Sequence, residues 1–378
     1  MPTKKSGNSL STKKTKKANS IGKIPTRGNG LLDKIVKGKY INKGMMGTIY
    51  LAIDPTTGSK YAYKIEKMLP KDVPHNLKSP YWREIDFAIN LANKYPDQFM
   101  NLYDWKIDNN CEHKQDFSGF DFKLEDLPKS QQNYYNRVNA SPYCSIKLWS
   151  LIDGILEDLI KHKLTISRQI FYDLFIQILY IVHLINSAGY FHNDFHMGNI
   201  GYVKTKQPNI SILDHEIPTH GYIIKAIDFG LVLHDKYPMT AGYRHKYEND
   251  NDLLTVFNMF SLEWKTDKIK TKHGIKEWKW EREWMKPIKI SRAQQRSLEH
   301  YLPEDRKLNK DNYDFLIHKI YKLVEWRLWQ QKVLNDTDCE CIQPHYLIPL
   351  EHLLYLVKHL YRPADVLDYF IKHRPVEN

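Results

Sequence analysis

The chain changes its hydrophobic rhythm part-way along. Residues 36–53 (VKGKYINKGMMGTIYLAI) place β-branched and aromatic residues on either side of a glycine pair, the pattern of strand, turn and strand. Asp54 to Lys60 (DPTTGSK) is turn chemistry, and YAYKIEK returns as a third strand. Tyr81, Ile85, Ala88, Ile89 and Ala92 then recur at helical spacing, which predicts an amphipathic helix over 80–94. Residues 106–143 are polar and irregular and read as an insertion ahead of the strand SIKLWSLI. A strict stripe of Phe171, Leu174, Phe175, Ile178, Leu179, Val182 and Ile185 predicts one long buried helix over 168–187. Short strand-like pieces come next (GYF, NIGYV, GYIIKAID), and helical patterns dominate to the end. The expected class is α+β. A small β-rich lobe spans 31–150, with its insertion at about 106–143, and a larger helical lobe spans 151–378, joined near Ser150–Gly154.

Composition narrows the setting. The 378 residues are 42% hydrophobic, enough for a large core. No apolar run reaches the roughly 18 residues of a membrane span, and the opening MPTKKSGNSLSTKKTKK lacks the apolar segment of a signal peptide. Four cysteines (Cys111, Cys144, Cys339, Cys341) indicate no disulfide framework. They fit a reducing intracellular location, cytoplasm or nucleus, or a host cell or virion if the chain is viral. The net charge is +12, and Lys4, Lys5, Lys13, Lys14, Lys16, Lys17, Lys23 and Arg27 all precede the first acidic residue, Asp33. Residues 1–30 therefore read as a disordered basic tail, where nucleic acid is a candidate partner. The remaining positive excess favours acidic substrates through steering.

Four stretches carry candidate chemistry. Gly44 and Gly47, between two strands, let backbone N–H groups approach phosphate oxygens, although glycine in a hairpin also serves the turn alone. Lys64, on the next strand in Ala62-Tyr63-Lys64, supplies a positive charge, and Glu84 on the predicted helix is its natural partner. His192-Asn-Asp194-Phe-His-Met-Gly-Asn199 comes after the long helix: Asp194 can take the proton of an attacking hydroxyl, and Asn199 can turn back to a metal ion. Asp228-Phe229-Gly230 ends a buried strand and suits a Mg2+ ligand on a tight turn.

In order and spacing these stretches resemble the protein-kinase-like superfamily over about residues 36 to 263: Gly-rich loop, A-x-K, helix Glu, H-x-D-x-x-x-x-N and D-F-G. IDFGL and NDLLTVF resemble its casein-kinase-1-like branch, and the Lys-, Asn-, Ile- and Tyr-rich composition is similar to kinases of large DNA viruses. The resemblance implies a bilobal fold, ATP and Mg2+ as cofactors, and a serine/threonine protein kinase acting on a protein substrate. It implies that Asn42, Gly44, Gly47, Ile49 and Ala62 surround ATP, and that Lys64, held by Glu84, contacts its α- and β-phosphates. It implies that Asp194 is the base, that Asn199 and Asp228 hold the metal, and that Asp252 braces the catalytic loop.

The sequence also departs from that family. Asn42 replaces the first glycine of the loop, and Asn193 replaces the arginine that receives an activation-loop phosphate, so no such phosphate is expected to be needed. His196 stands where serine/threonine kinases have lysine, and only about twenty residues separate Gly230 from Asp252, with no A-P-E sequence. Both features keep a small-molecule kinase of the aminoglycoside or choline type as a rival, and the two lost residues keep a pseudokinase scaffold as another. His192-x-Asp194 has the spacing of a non-haem iron triad, which the helical second half opposes. Cys339-x-Cys341 is a weak metal candidate. The Trp- and Lys-rich segment 264–290 reads as amphipathic helix packing ahead of a nucleic-acid surface, and RPADVLDYFIKH as a closing helix.

Overall fold

The computed structural model describes residues 24–44, 47–116, 124–162, 168–234, 236–237, 252–262, 268–271, 274–277, 291–303, 313–314, 316–325 and 348–375. Its first part is a twisted antiparallel sheet built from β1 (Val36–Lys43), β2 (Thr48–Ile53), β3 (Lys60–Met68), β4 (Leu102–Asp108) and β5 (Tyr143–Trp149), in the spatial order β1-β2-β3-β5-β4. Helix α1 (Pro80–Asn90) interrupts it after β3, with Pro80 at its first turn, where a missing N–H costs nothing. Its residues Tyr81 to Ala88 are all buried, so it is held by packing on every side. Strand β1 is an exposed edge carrying Lys37, Lys39 and Lys43, charges that discourage pairing with another chain.

The insertion is shorter and more ordered than its composition suggests. Residues 106–108 belong to β4, and Lys129–Ala140 forms helix α2, in which only Val138 is buried. KSQQNYYNRVNA has no apolar stripe, so its pattern conceals the helix. Cys111 and Cys144, expected as thiols, are joined in a disulfide. The antiparallel pairing of β4 with β5 sets Asp108 opposite Cys144, and the Cys111 N–H donates to the Pro142 carbonyl at 2.8 Å. Strand pairing thus closes a gap of 33 positions, which spacing along the chain does not disclose.

Helices dominate the second part. Short β6 (Gly154–Ile155) and α3 (Leu156–His162) lead to α4 (Arg168–Ser187), whose bounds match the predicted ones. Residues Gln169–Ser187 have the length and apolarity of a membrane span, where no such run was expected, yet most of them are buried against the rest of the chain. Asp173 in this helix is fully buried. It accepts from Gln169 at 2.9 Å and His220 at 2.7 Å, and pairs with Arg374 at 3.0 Å. Beyond α4 come β7 (Tyr190–Phe191), β8 (Ile200–Lys204), the hairpin β9 (Asn209–Ile212) with β10 (His215–Pro218), then β11 (Tyr222–Ala226) and β12 (Leu233–His234). Strands β11, β8 and β6 pair in that order, and β12 pairs with β7.

Helix α5 (Asp252–Leu262) packs beside α4, and Phe260 meets Phe171 and Phe175. Within 264–290, where helix packing was expected, the described residues instead form a hairpin of β13 (Lys268–Thr271) and β14 (Gly274–Glu277). Helices α6 (Arg292–Glu299), α7 (Leu350–Lys358) and α8 (Pro363–Lys372) come last, with a further helical stretch at 316–325. The closing helix is the expected one, and Arg374 just beyond it reaches back to Asp173. The molecule is thus mixed α+β, β-rich first and helical after, with a large hydrophobic core reaching from α1 through α4 to α8 and a smaller one in the first sheet around Ile65 and Leu148.

Candidate functional site

Register across the first sheet assembles half of the site. Lys64 on β3 lies opposite Ile49 on β2 and Lys147 on β5. Residues directly opposite on neighbouring strands share a face, and so do Ala62 and Glu66, two positions either side of Lys64. Glu84 of α1 meets this face. Lys64 Nζ donates to Glu84 Oε1 at 3.0 Å and to Asp228 Oδ1 at 3.1 Å, and lies 3.1 Å from Glu66 Oε1. Lys147 Nζ donates to the other oxygen of each glutamate, Glu66 Oε2 and Glu84 Oε2. Burial draws the Lys64 pKa down, but Asp228, Glu66 and Glu84 outweigh it and hold the ammonium well above its ordinary value. Lys64, in turn, holds the Asp228 carboxyl below the usual carboxylate range.

The other half is a loop stretched between buried anchors. The backbone N–H groups of His192 and Asn193 donate to the two carboxylate oxygens of Asp252 at 2.8 and 3.1 Å. His192 is fully buried, and its Nε2 bonds the Ile227 carbonyl at 3.0 Å. Burial lowers its pKa, against the pull of Asp252. Fixed in this way His192 is a brace, and the iron-triad reading of His192-x-Asp194 fails.

Asn199 gives both hydrogens of its amide to Asp194, one to the backbone carbonyl at 2.8 Å and one to Oδ2 at 3.0 Å. The Asn199 carbonyl accepts from Ile227 N at 3.0 Å, which ties this loop to the strand end carrying Asp228. Asn193 and Asp228, at φ 62° and 58°, hold left-handed backbone that non-glycine residues seldom adopt. Both lie in the candidate motifs, where such strain is kept when the surroundings dictate it.

His196 is about half exposed, with Nε2 3.8 Å from Asp194 Oδ2, and its Nδ1 accepts from Gly198 N at 3.1 Å. Asn193 donates through Nδ2 to the Leu231 carbonyl at 3.1 Å.

The glycine hairpin has two unlike glycines. A Cβ on Gly47 would lie 2.6 Å from both Glu66 Cγ and the Ile65 carbonyl, so close approach to β3 demands glycine there. A Cβ on Gly44 would meet nothing within 4 Å. Gly44 N donates to the Gly47 carbonyl at 2.8 Å, closing the tip, while Met45 and Met46 lie outside the described residues. Asn42 lies opposite Ile49, and its Oδ1 accepts from Lys43 N at 2.9 Å. The segment after Cys111 runs over this hairpin. Gln115 Nε2 donates to the Gly44 carbonyl at 2.6 Å, Lys43 Nζ to Asp116 at 2.6 Å, and Thr48 Oγ1 lies 3.2 Å from His113 Nε2.

Aromatic and polar contacts lock the halves together. Phe229, 1% exposed, packs on Phe87 of α1 at 4.6 Å between ring centroids, on Trp149 at 5.7 Å and on His192 at 5.8 Å. Asp86, two residues beyond Glu84, accepts from the Tyr237 hydroxyl at 2.7 Å and from Tyr190 at 3.2 Å, and pairs with Lys236 at 3.2 Å. Helix α1 is thereby fastened to the segment beyond Gly230.

Lys64, Glu84 and Asp228 are thus brought together, and the Asp194–Asn199 pair is tied to the same strand end through the Ile227 backbone. Ile49 and Ala62 lie on the Lys64 face, and Asn42, Gly44 and Gly47 lie in the hairpin above it. Cys339 and Cys341 fall outside the described residues. Sequence reasoning missed Glu66 and Lys147. Two signals were present in the chain: Lys64-x-Glu66 on one strand face, and a lysine in the middle of the apolar run SIKLW. No family model matches the chain, and no curated protein matches it either.

Proposed function

We propose that the chain is an ATP-dependent phosphotransferase, a serine/threonine protein kinase with two lobes, that moves the γ-phosphate of ATP to a protein hydroxyl. The observation that carries this reading is the meeting of Lys64 with Glu84 and Asp228 within 3.1 Å, from a strand, a helix and a strand end far apart in sequence. The bonded pair Asp194–Asn199 is joined to the same strand end through Ile227. In this reading Asn42, Gly44, Gly47, Ile49 and Ala62 surround the nucleotide and Lys64 faces its phosphates. The acceptor oxygen forms a bond to the γ-phosphorus, the bond to the β-phosphate oxygen breaks, and ADP leaves. Asp194 orients the acceptor hydroxyl and takes its proton.

The donor set fits Mg2+. Asn199 commits both amide hydrogens to Asp194, which leaves its oxygen as the remaining donor, and the Asp228 side chain is 53% exposed. Two protein oxygens, with phosphates and water completing the shell, is the usual provision for this hard cation. When bound, Mg2+ would neutralise negative charge on the transferred group.

A second reading keeps the reaction and changes the acceptor to a small-molecule alcohol. His196, half exposed beside Asp194, favours it. The experiment for both is incubation with γ-labelled ATP and Mg2+ alongside casein, myelin basic protein and a panel of small alcohols, with Asp194→Ala as control. Label on protein supports the first acceptor and label on an alcohol the second. No transfer to any acceptor refutes both.

A further inference from the structure

Lys147 is a charged residue in a place where charge is costly. Its side chain is 0% exposed, and the glutamates it meets are 3% and 2% exposed. Ion pairs so deeply buried seldom stabilise a fold better than well-packed apolar residues of similar volume. The middle of β5, flanked by Ile146 and Leu148, is where a methionine or leucine would serve packing alone. Moreover, the contacts form a closed figure. Lys64 takes Oε1 of Glu66 and Oε1 of Glu84, and Lys147 takes Oε2 of each. The ring Lys64–Glu66–Lys147–Glu84 alternates in charge, with Asp228 attached through Lys64. Its members come from β3, β5 and α1, so it also joins the helix to two strands.

We propose that Lys147 is a positioning residue for Lys64: by pairing with the far oxygens of Glu66 and Glu84 it closes a buried ring that fixes Lys64 Nζ where phosphates are bound. This rests on the phosphotransferase reading. Without Lys147, two buried carboxylates would share a single lysine that also faces Asp228. Three negative charges against one positive would draw a proton onto one glutamate. The resulting carboxyl–carboxylate pair would bond to itself, loosening Glu84 from Lys64 and leaving Lys64 to move with Asp228. Lys147 itself touches no substrate, since its side chain is 0% exposed. Its removal therefore misplaces a phosphate contact, and displacements of that kind cost about 100-fold in rate.

The test compares full-length wild type, Lys147→Met and Lys147→Met/Glu66→Gln by kcat and KM for ATP, with γ-labelled ATP, Mg2+ and an accepting protein. All are assayed well below their unfolding midpoints. Lys147→Met is expected to lower kcat about 100-fold with KM for ATP within about threefold, the split of an interaction lost in the transition state. The double variant removes one cation and one anion together and leaves Lys64 paired with Glu84, so it is expected to recover at least about tenfold of the lost kcat. Should Lys147→Met not fold, the double variant carries the test, and a kcat more than about 100-fold below wild type overturns the proposal. An active wild type with Lys147→Met within about threefold of its kcat also overturns it and leaves the phosphotransferase reading intact. So does a loss that the double variant fails to recover. A wild type that transfers no phosphate to any acceptor overturns the reading itself, and this inference with it.

Discussion

Substitution of Asp252 should reach the candidate catalytic loop without touching any residue that meets substrate. Its two carboxylate oxygens each accept one backbone N–H, from His192 at 2.8 Å and Asn193 at 3.1 Å, and the residue is 5% exposed. Hydrogen bonds to a charged acceptor contribute about 1.5–3 kcal/mol each, and a buried donor left alone costs a comparable amount. Asp252→Asn keeps one acceptor oxygen and turns an N–H2 toward the other donor, so one bond is lost: about 2–3 kcal/mol. Asp252→Ala loses both, and also removes the only acidic residue from the first turn of α5, for a total of about 3–6 kcal/mol. Asn193, at φ 62°, is held in that conformation partly by this bond and precedes Asp194 directly. A transfer rate reduced about 100-fold should therefore accompany the lost stability in Asp252→Asn. Urea unfolding gives the first quantity and initial rates below the transition give the second. If Asp252→Asn unfolds within about 0.5 kcal/mol of wild type and transfers at the same rate, the bracing role assigned to Asp252 is wrong.

Four further outcomes are expected. Asp194→Ala should abolish transfer and keep Mg·ATP binding, whereas Asp228→Ala should lose both, as isothermal titration and labelled ATP would show; full activity in the Asp228 variant sinks the assignment. Lys64→Met and Glu84→Gln act on one contact, 3.0 Å long, so their combined effect should fall well short of the sum, and additive losses would mean that Glu84 is not the partner. The folded-state pKa of His192 is lowered from 6.5 by burial, so the unfolded chain takes up a proton below that pH before the folded one does. Its contribution to stability is then complete above pH 6.5 and declines as pH falls, by up to about 1.4 kcal/mol per unit; His192→Gln should flatten the slope of stability against pH between 7 and 5. Finally, Cys111→Ser should lower the urea midpoint, since opening a loop of 33 positions releases unfolded-state entropy equivalent to about 3–4 kcal/mol, and an unchanged midpoint would show that the bond contributes nothing.

Most of the architecture was legible because it rests on local periodicity. The stripe from Phe171 to Ile185 gave α4 its bounds, and alternation on either side of Asp54–Lys60 gave β2 and β3. The elements that escaped did so for physical reasons. Helix α2 buries one residue, so no stripe marks it, and its order comes from neighbours such as Lys67, which bonds the Ser141 carbonyl at its end. The hairpin β9–β10 lies in NISILDHEIP, too short for alternation to separate it from loop. Of the site, Lys64, Asp194, Asn199 and Asp228 carry recognisable order and spacing. Lys147 and Glu66 left only faint local signals, because the pairing that gives them meaning joins two strands and a helix. Cys111 with Cys144 and Asp86 with Tyr237 likewise meet only in the folded chain, across separations that local patterning does not report.

The segment laid over the glycine hairpin changes what a ligand would encounter there. A hairpin rich in glycine ordinarily gives up much conformational freedom when something settles beneath it. Here Gln115 already holds the Gly44 carbonyl and Asp116 already holds Lys43, while a disulfide secures the base of that strap at Cys111. On the proposed function, these contacts would order the described flanks of the hairpin before the nucleotide binds, and association would lose less free energy in fixing them. On that same reading, a nucleotide entering or leaving under the hairpin would pass His113, Gln115 and Asp116, which places these residues to set its exchange rate rather than the chemical step.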